Sequence, residues 1–212
     1  MEVTFVEYPN REEWLKGRGN SIGASEIASV LGCGFCTAQE LWAIKVGEKQ
    51  PSDLSDNERV KYGNAAEEHL RALFALQYAD VYEVEYHPYR VYTNEAAPYL
   101  TATLDGELIR RADGERGVWE CKTAWIMGNR DLAKWANRLP DKYFCQVTSQ
   151  MFVRDCKFAV LTAQLIMPDG TSEIRHYDIQ RSEGDIKYLV SEAKKFWKQV
   201  KERKKPALGL TL

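Results

Sequence analysis

Residues 101–125 read TATLDGELIRRADGERGVWECKTAW, and this stretch decides how the rest of the chain is read. It opens and closes on apolar runs of strand character, and RRADGER between them has the composition of a turn. Asp105 stands before Gly106, and Glu120 and Lys122 stand two apart inside the second run. Side chains alternate faces along a strand, so Glu120 and Lys122 share one face and Trp119, Cys121 and Thr123 the other. If the two runs pair as antiparallel neighbours, Asp105 approaches that pair. A polar hairpin at the rim of a sheet is the plain alternative. A Glu and a Lys on one face of an otherwise apolar strand, however, need a reason. Two carboxylates can hold Mg²⁺ through oxygen ligands while the ion keeps several waters. A lysine beside them can position a water or offset developing negative charge. His69, His87 and His176 have no ligand spacing, which disfavours zinc-type catalysis.

Helical sequence flanks this centre. REEWLKG (11–17) forms a short turn of helix. SIGASEIASVLGCG feeds a second helix that Gly32 and Gly34 stop, with Ser25 a candidate N-cap. Thr37 caps AQELWAIKVG, and residues 48–56 are a polar connection. A long helix spans about 57–77. VYEVEYHPYRVYT alternates as a strand, with Pro88 marking an edge or bulge, and together with the two runs above it predicts an antiparallel meander. Helices are expected at 126–137 and 141–154, then strands KFAVLTAQLI and EIRHYDI about a PDGTS turn, then a helix over 182–205. The pattern is one α/β (α+β) domain over residues 1–212.

Charge and composition narrow the class. Hydrophobic residues make up 44% of the 212 and charged residues 28%, as in an ordinary globular protein. No apolar run reaches the roughly 20 residues of a membrane span, and no secretory signal is visible, so a cytoplasmic protein without a membrane partner is expected. Cys33, Cys36, Cys121, Cys145 and Cys156 are an odd set without framework spacing and read as thiols. A net charge of −2 argues against indiscriminate nucleic-acid binding but leaves room for a local basic groove. KKFWKQVKERKK (194–205) is a solvated basic face or a phosphate-backbone contact, and Trp125 and Trp135, which follow the Glu120–Lys122 strand, are core aromatics or, under the resemblance described next, candidates to touch a DNA end.

Five stretches in order carry a family resemblance: RGNSIGASE, YGNAAEEHLRALF, TATLDG, WECK and YFCQVTSQMFV. The chain from about 11 to 165 resembles the lambda-type phage exonucleases, the YqaJ-like viral recombinase group of the PD-(D/E)xK nuclease superfamily. Two departures are Leu104, where the family segment often has Pro, and Thr103 in place of Ser. The resemblance implies a PD-(D/E)xK core, a mixed central sheet flanked by helices. It implies that Asp105 and Glu120 bind Mg²⁺ (with Mn²⁺ able to substitute), that the Cys121 backbone carbonyl is a further ligand, and that Lys122 contacts the nucleophilic water. Glu67 would reach the site from its helix. Arg18, Ser25 and Thr103 would grip a terminal 5′-phosphate, a task suited to guanidinium and hydroxyl groups, and Gln146 would line the site. On the residues alone, Gln146 and Gln150, four apart on a helix, could instead bond to each other. The implied activity is 5′-to-3′ digestion of one strand at double-stranded DNA ends, leaving 3′ tails for a phage-type single-strand annealing protein in a bacterial host. A homo-oligomer, a trimeric ring, is implied as well. The alternative is a PD-(D/E)xK endonuclease of restriction or repair type. Some members of the superfamily carry an iron–sulfur cluster, but Cys33 and Cys36 lack a late cysteine triplet, and no cluster is expected.

Overall fold

The computed structural model describes residues 2–136 and 138–207. Two sheets share one helix between them. The first has the order β1 (Val3–Glu7), β4 (Arg90–Asn94), β5 (Leu100–Ala102) and β2 (Ile22–Gly23). The second has the order β3 (Tyr82–Glu85), β6 (Gly106–Arg110), β7 (Arg116–Trp125), β8 (Phe158–Ile166) and β9 (Ser172–Gln180). Pairing is antiparallel except for β2 on β5 and β7 on β8. The sheets are therefore mixed and flanked by helices, which is the expected fold class.

The meander is a correction. What reads as two long strands is four short ones, because the chain changes sheet twice. The first change falls at His87–Tyr89, where Tyr89 takes a φ of 59° just after Pro88. The second falls at Thr103–Asp105, between β5 in one sheet and β6 in the other. β1 carries a sequence too short and too mixed in polarity to announce itself and is held by pairing with β4. Asp105 thus does not end a strand; it sits in the seam between the sheets.

The helices are α1 (Arg11–Gly17), α2 (Ile27–Val30), α3 (Ala38–Lys45), α4 (Glu58–Gln77), α5 (Asn129–Ala133), α6 (Asp141–Arg154) and α7 (Glu183–Lys201). Thr37 caps α3 through a reciprocal box with Glu40, as its sequence implies. α5 is much shorter than the 126–137 expected, and position 137 lies outside the described residues. α7 turns Ile186, Leu189, Ala193, Phe196 and Val200 inward, the stripe its periodicity predicts. α6 is the central element. Every residue from Gln146 to Val153 is buried, and the helix packs on β4, β5, β7, β8, α2 and α7. That burial includes Gln146, Thr148, Ser149 and Gln150, polar side chains that cost free energy unless they are partnered. None of the described helices is long and apolar enough to cross a membrane.

Candidate active site

β6 begins only at Gly106, which pairs with Trp119. Beyond that pair β7 runs on to Trp125 with no β6 partner, although β8 covers its other edge. The open edge is filled by a side chain. The Cys121 amide donates to Asp105 Oδ2 at 3.0 Å, a substitute for a missing strand bond. Along an extended strand the N–H and C=O of one residue point the same way. The Cys121 carbonyl therefore faces the Asp105 side as well.

Glu120 and Lys122 share the face turned to α6, as alternation requires, while Trp119 and Cys121 face α4. Glu120 is 1% exposed. Three donors hold its carboxylate: Lys122 Nζ and Gln146 Nε2 (2.6 Å) on Oε1, and Gln150 Nε2 (2.5 Å) on Oε2. Gln146 and Gln150 thus both serve Glu120 rather than each other, and the plain reading of their spacing is overturned. Gln150 Nε2 also lies 3.3 Å from the Thr103 carbonyl, so one amide ties the buried carboxylate to the seam that carries Asp105. Its Oε1 is buried without a partner among the described residues, which makes Gln150 costly to keep for packing alone.

Glu67 comes from α4 and lines the same cleft as Asp105 and Lys122. Its carboxylate takes Arg71 Nη1 at 3.2 Å, and the same nitrogen donates to the Asp105 carbonyl at 2.8 Å. Nothing local in the sequence marks Arg71, one turn after Glu67, as anything but half of a surface pair. α4 reaches β7 closely at Gly63, where a Cβ would meet Thr123 Oγ1 at 3.1 Å.

Crowding sets the electrostatics. Burial, reinforced by the Glu120 carboxylate, pushes the Asp105 carboxyl well above the usual range. Burial also raises Glu67, against the opposing pull of Arg71. Lys122 loses hydration, but Glu120 and Asp105 outweigh that loss and hold its ammonium firmly protonated. Clustered carboxylates of this kind favour a bound cation. Among the described residues no three carboxylate, imidazole or thiol groups form a metal cage by themselves. One or two carboxylates, a carbonyl and waters are what Mg²⁺ takes, so the residues present fit that ion.

The other expected residues lie in a cleft of about 720 Å³ that runs from Asp105 past α1. Arg18 Nη2 donates to Ser25 Oγ at 3.2 Å, and its guanidinium lies 4.7 Å over the Trp14 ring. Trp14 Nε1 donates to Thr103 Oγ1 at 3.0 Å, which links all three expected phosphate-pocket residues through one indole. Ser25 is not an N-cap: α2 is only four residues long and is preceded by Glu26. Glu26 instead bonds the Gly23 amide at 2.7 Å and pairs with Lys45 at 2.8 Å. Trp125 and Trp135 both line a second cleft on the far side of Lys122, Trp125 half-buried and Trp135 buried with only an edge reaching it. Cys33 Sγ lies 3.8 Å from Cys145 Sγ and Cys36 faces Ser29; all five cysteines are free.

Comparison with known proteins decides the lineage. A model of the YqaJ-like viral recombinase domain matches residues 13–157. The chain belongs to the YqaJ-like viral recombinase family. YqaJ of Bacillus subtilis is 25% identical over 195 residues, 89% of this chain, and the chain spans 56% of the length of that protein. Among solved structures, LHK-Exo in complex with dAMP superposes with a TM-score of 0.70 at 18% identity, covering 91% of this chain and 94% of LHK-Exo. LHK-Exo is an alkaline exonuclease from Laribacter hongkongensis. A phage-related exonuclease from Haemophilus somnus superposes with a TM-score of 0.55 at 15% identity, covering 86% and 96%. At these identities the likeness is one of fold. Membership of the family is what residues 101–125 and the three stretches around them imply.

Proposed function

We propose that this protein is a Mg²⁺-dependent 5′-to-3′ exonuclease that digests one strand at double-stranded DNA ends. The observation that carries this reading is the seam. Asp105 is bonded to the Cys121 amide on the unpaired edge of β7, beside the buried Glu120 and the protonated Lys122. Asp105, Glu120 and the Cys121 carbonyl would hold the ion, with Glu67 reaching it through water. A bound Mg²⁺ supplies charge for the phosphoryl oxygen and a water of lowered pKa. Lys122 orients that water and offsets charge on the phosphate. Gln146 and Gln150 keep the Glu120 carboxylate fixed in a site water cannot flood. Arg18, Ser25 and Thr103, joined through Trp14, receive the terminal 5′-phosphate. Stopping the strand end at that pocket sets the distance to the bond that breaks, and so the polarity.

By the family resemblance, the whole chain acts as one nuclease domain in a homo-oligomeric ring, in the cytoplasm of a bacterial host, and hands 3′ tails to a single-strand annealing protein. Digestion of end-labelled linear duplex tests the reading. Mg²⁺ supports it, EDTA stops it, and covalently closed circles resist. Arg18→Ala slows 5′-phosphorylated ends more than 5′-hydroxyl ends. Cleavage of closed circles, or metal-independent cleavage, refutes the proposal.

A further inference from the structure

The second cleft, about 690 Å³, meets the first at Asn64, Glu67, Asp105 and Lys122 and runs the opposite way. Its walls have a chemistry the hydrolytic groups do not explain. On one wall, from α4 and the end of β7, the Arg59 guanidinium lies 5.5 Å from the Trp125 ring, with Tyr62 edge-on to the indole at 5.3 Å. On the other, from the loop before α3 and the start of α6, Lys142 Nζ lies 3.9 Å from the Phe35 ring, which is 76% exposed. Among the described residues neither Arg59 nor Lys142 pairs with a carboxylate; beyond the indole the Arg59 guanidinium reaches the Met127 sulfur at 3.9 Å, and Lys142 meets aromatic faces. Burial and the Lys134 and Lys122 cations nearby lower the Lys142 pKa, so an anion in the cleft would be welcome. An exposed Phe35 and a half-buried Trp125 at the cleft wall, each beside a cation without a carboxylate partner, are the two ingredients of a groove for single-stranded nucleic acid.

We propose that this cleft is a binding track for an unpaired segment of a DNA strand. Its bases stack on Trp125 and Phe35, and its phosphates meet Arg59 and Lys142. Within a duplex each base face is covered by its neighbours, so only unpaired bases can stack on both rings. The volume is that of a site for a small molecule, enough for a nucleotide or two and not for a double helix. Arg59 is free to swing from the indole to a phosphate because its other contact is a weak one to sulfur. That the strand in this track continues into the reacting site rests on the nuclease reading; none of the four track residues is assigned a part in the reaction.

The test is binding in EDTA, where no strand is cut, followed by fluorescence anisotropy. The probe is a 5′-hydroxyl octathymidylate labelled at its 3′ end, beside an abasic strand of equal length. Trp125→Ala weakens binding of octathymidylate roughly tenfold or more and leaves the abasic strand within twofold. Trp125→Phe restores it. Phe35→Ala, at a side chain too exposed to matter for folding, shows the same selective loss. Lys142→Gln lowers the slope of log affinity against log salt by about 0.7 on both probes. Unchanged octathymidylate binding in both Ala variants overturns the track, as does equal loss on the two probes. If the wild type digests duplex ends and the Ala variants bind normally, only the track falls. If the selective losses appear in a protein that cuts no DNA, the track stands and the nuclease reading falls.

Discussion

Among the described residues Lys122 is the one cation that touches the buried Glu120 carboxylate, and Lys122→Met removes it. Glu120 is 1% exposed, so the charge left behind cannot recover its hydration by a simple rotation. Removing one partner of a buried ion pair costs about 3–5 kcal/mol. Gln146 and Gln150 still donate at 2.6 and 2.5 Å, and hydrogen bonds to a charged group are strong, so the loss belongs at the lower end, about 3 kcal/mol. At about 2–4 °C per kcal/mol for a chain of this size, the melting temperature falls by roughly 6–12 °C. The partner experiment is Glu120→Gln in the same background, which removes the stranded charge and recovers most of that loss. Urea unfolding of the wild type, the two single variants and the double variant at pH 8 completes a double-mutant cycle. All three variants lose turnover. A Lys122→Met protein as stable as the wild type, or a double variant less stable than Lys122→Met, refutes the picture of a dry, triply held carboxylate.

Two further outcomes follow from the same geometry. Asp105 is an acid whose pKa is raised in the fold, so its ionisation opposes folding as pH rises through that raised value and costs nothing where both states are protonated. In EDTA, Asp105→Asn, which keeps an acceptor for the Cys121 amide, therefore melts higher than the wild type at pH 8, and the advantage fades toward acid pH, while with Mg²⁺ it cuts no DNA; a metal-free thermal-denaturation series that shows no advantage at pH 8 contradicts this. Gln150→Leu orphans one Glu120 oxygen and loosens the Thr103 carbonyl, so turnover drops by about 10–100-fold and the Mg²⁺ concentration for half-maximal rate rises. Loss of rate with no change in metal requirement would mean that Gln150 merely packs.

Local pattern wrote several pieces of this protein plainly. Thr37, with Glu40 three residues on, specifies its capping box, and the inward stripe of α7 is legible as heptad-like spacing. Alternation along WECKTAW puts Glu120 and Lys122 on one face whatever the strand pairs with. The order of five short motifs is enough to fix the family, because each alone is common and the series is not. The two changes of sheet at His87–Tyr89 and Thr103–Asp105 could not be read this way, since a strand that switches partners keeps the same alternation on both sides of the break. The same holds for Gln150, whose spacing from Gln146 fits a mutual bond as well as a shared acceptor. Which acceptor wins depends on a carboxylate 30 residues away in sequence, delivered by the packing of α6 on β7.

The sequence by itself settled which side chains are available and which face of β7 carries them, because periodicity is a property of neighbouring residues. Only the tertiary structure decided that Asp105 lies in a seam, that its oxygen takes the place of a missing strand bond, and that two clefts meet at Lys122. Those facts arise where β6 starts late against β7, and such a register is set by long-range packing that no local stretch of the chain encodes.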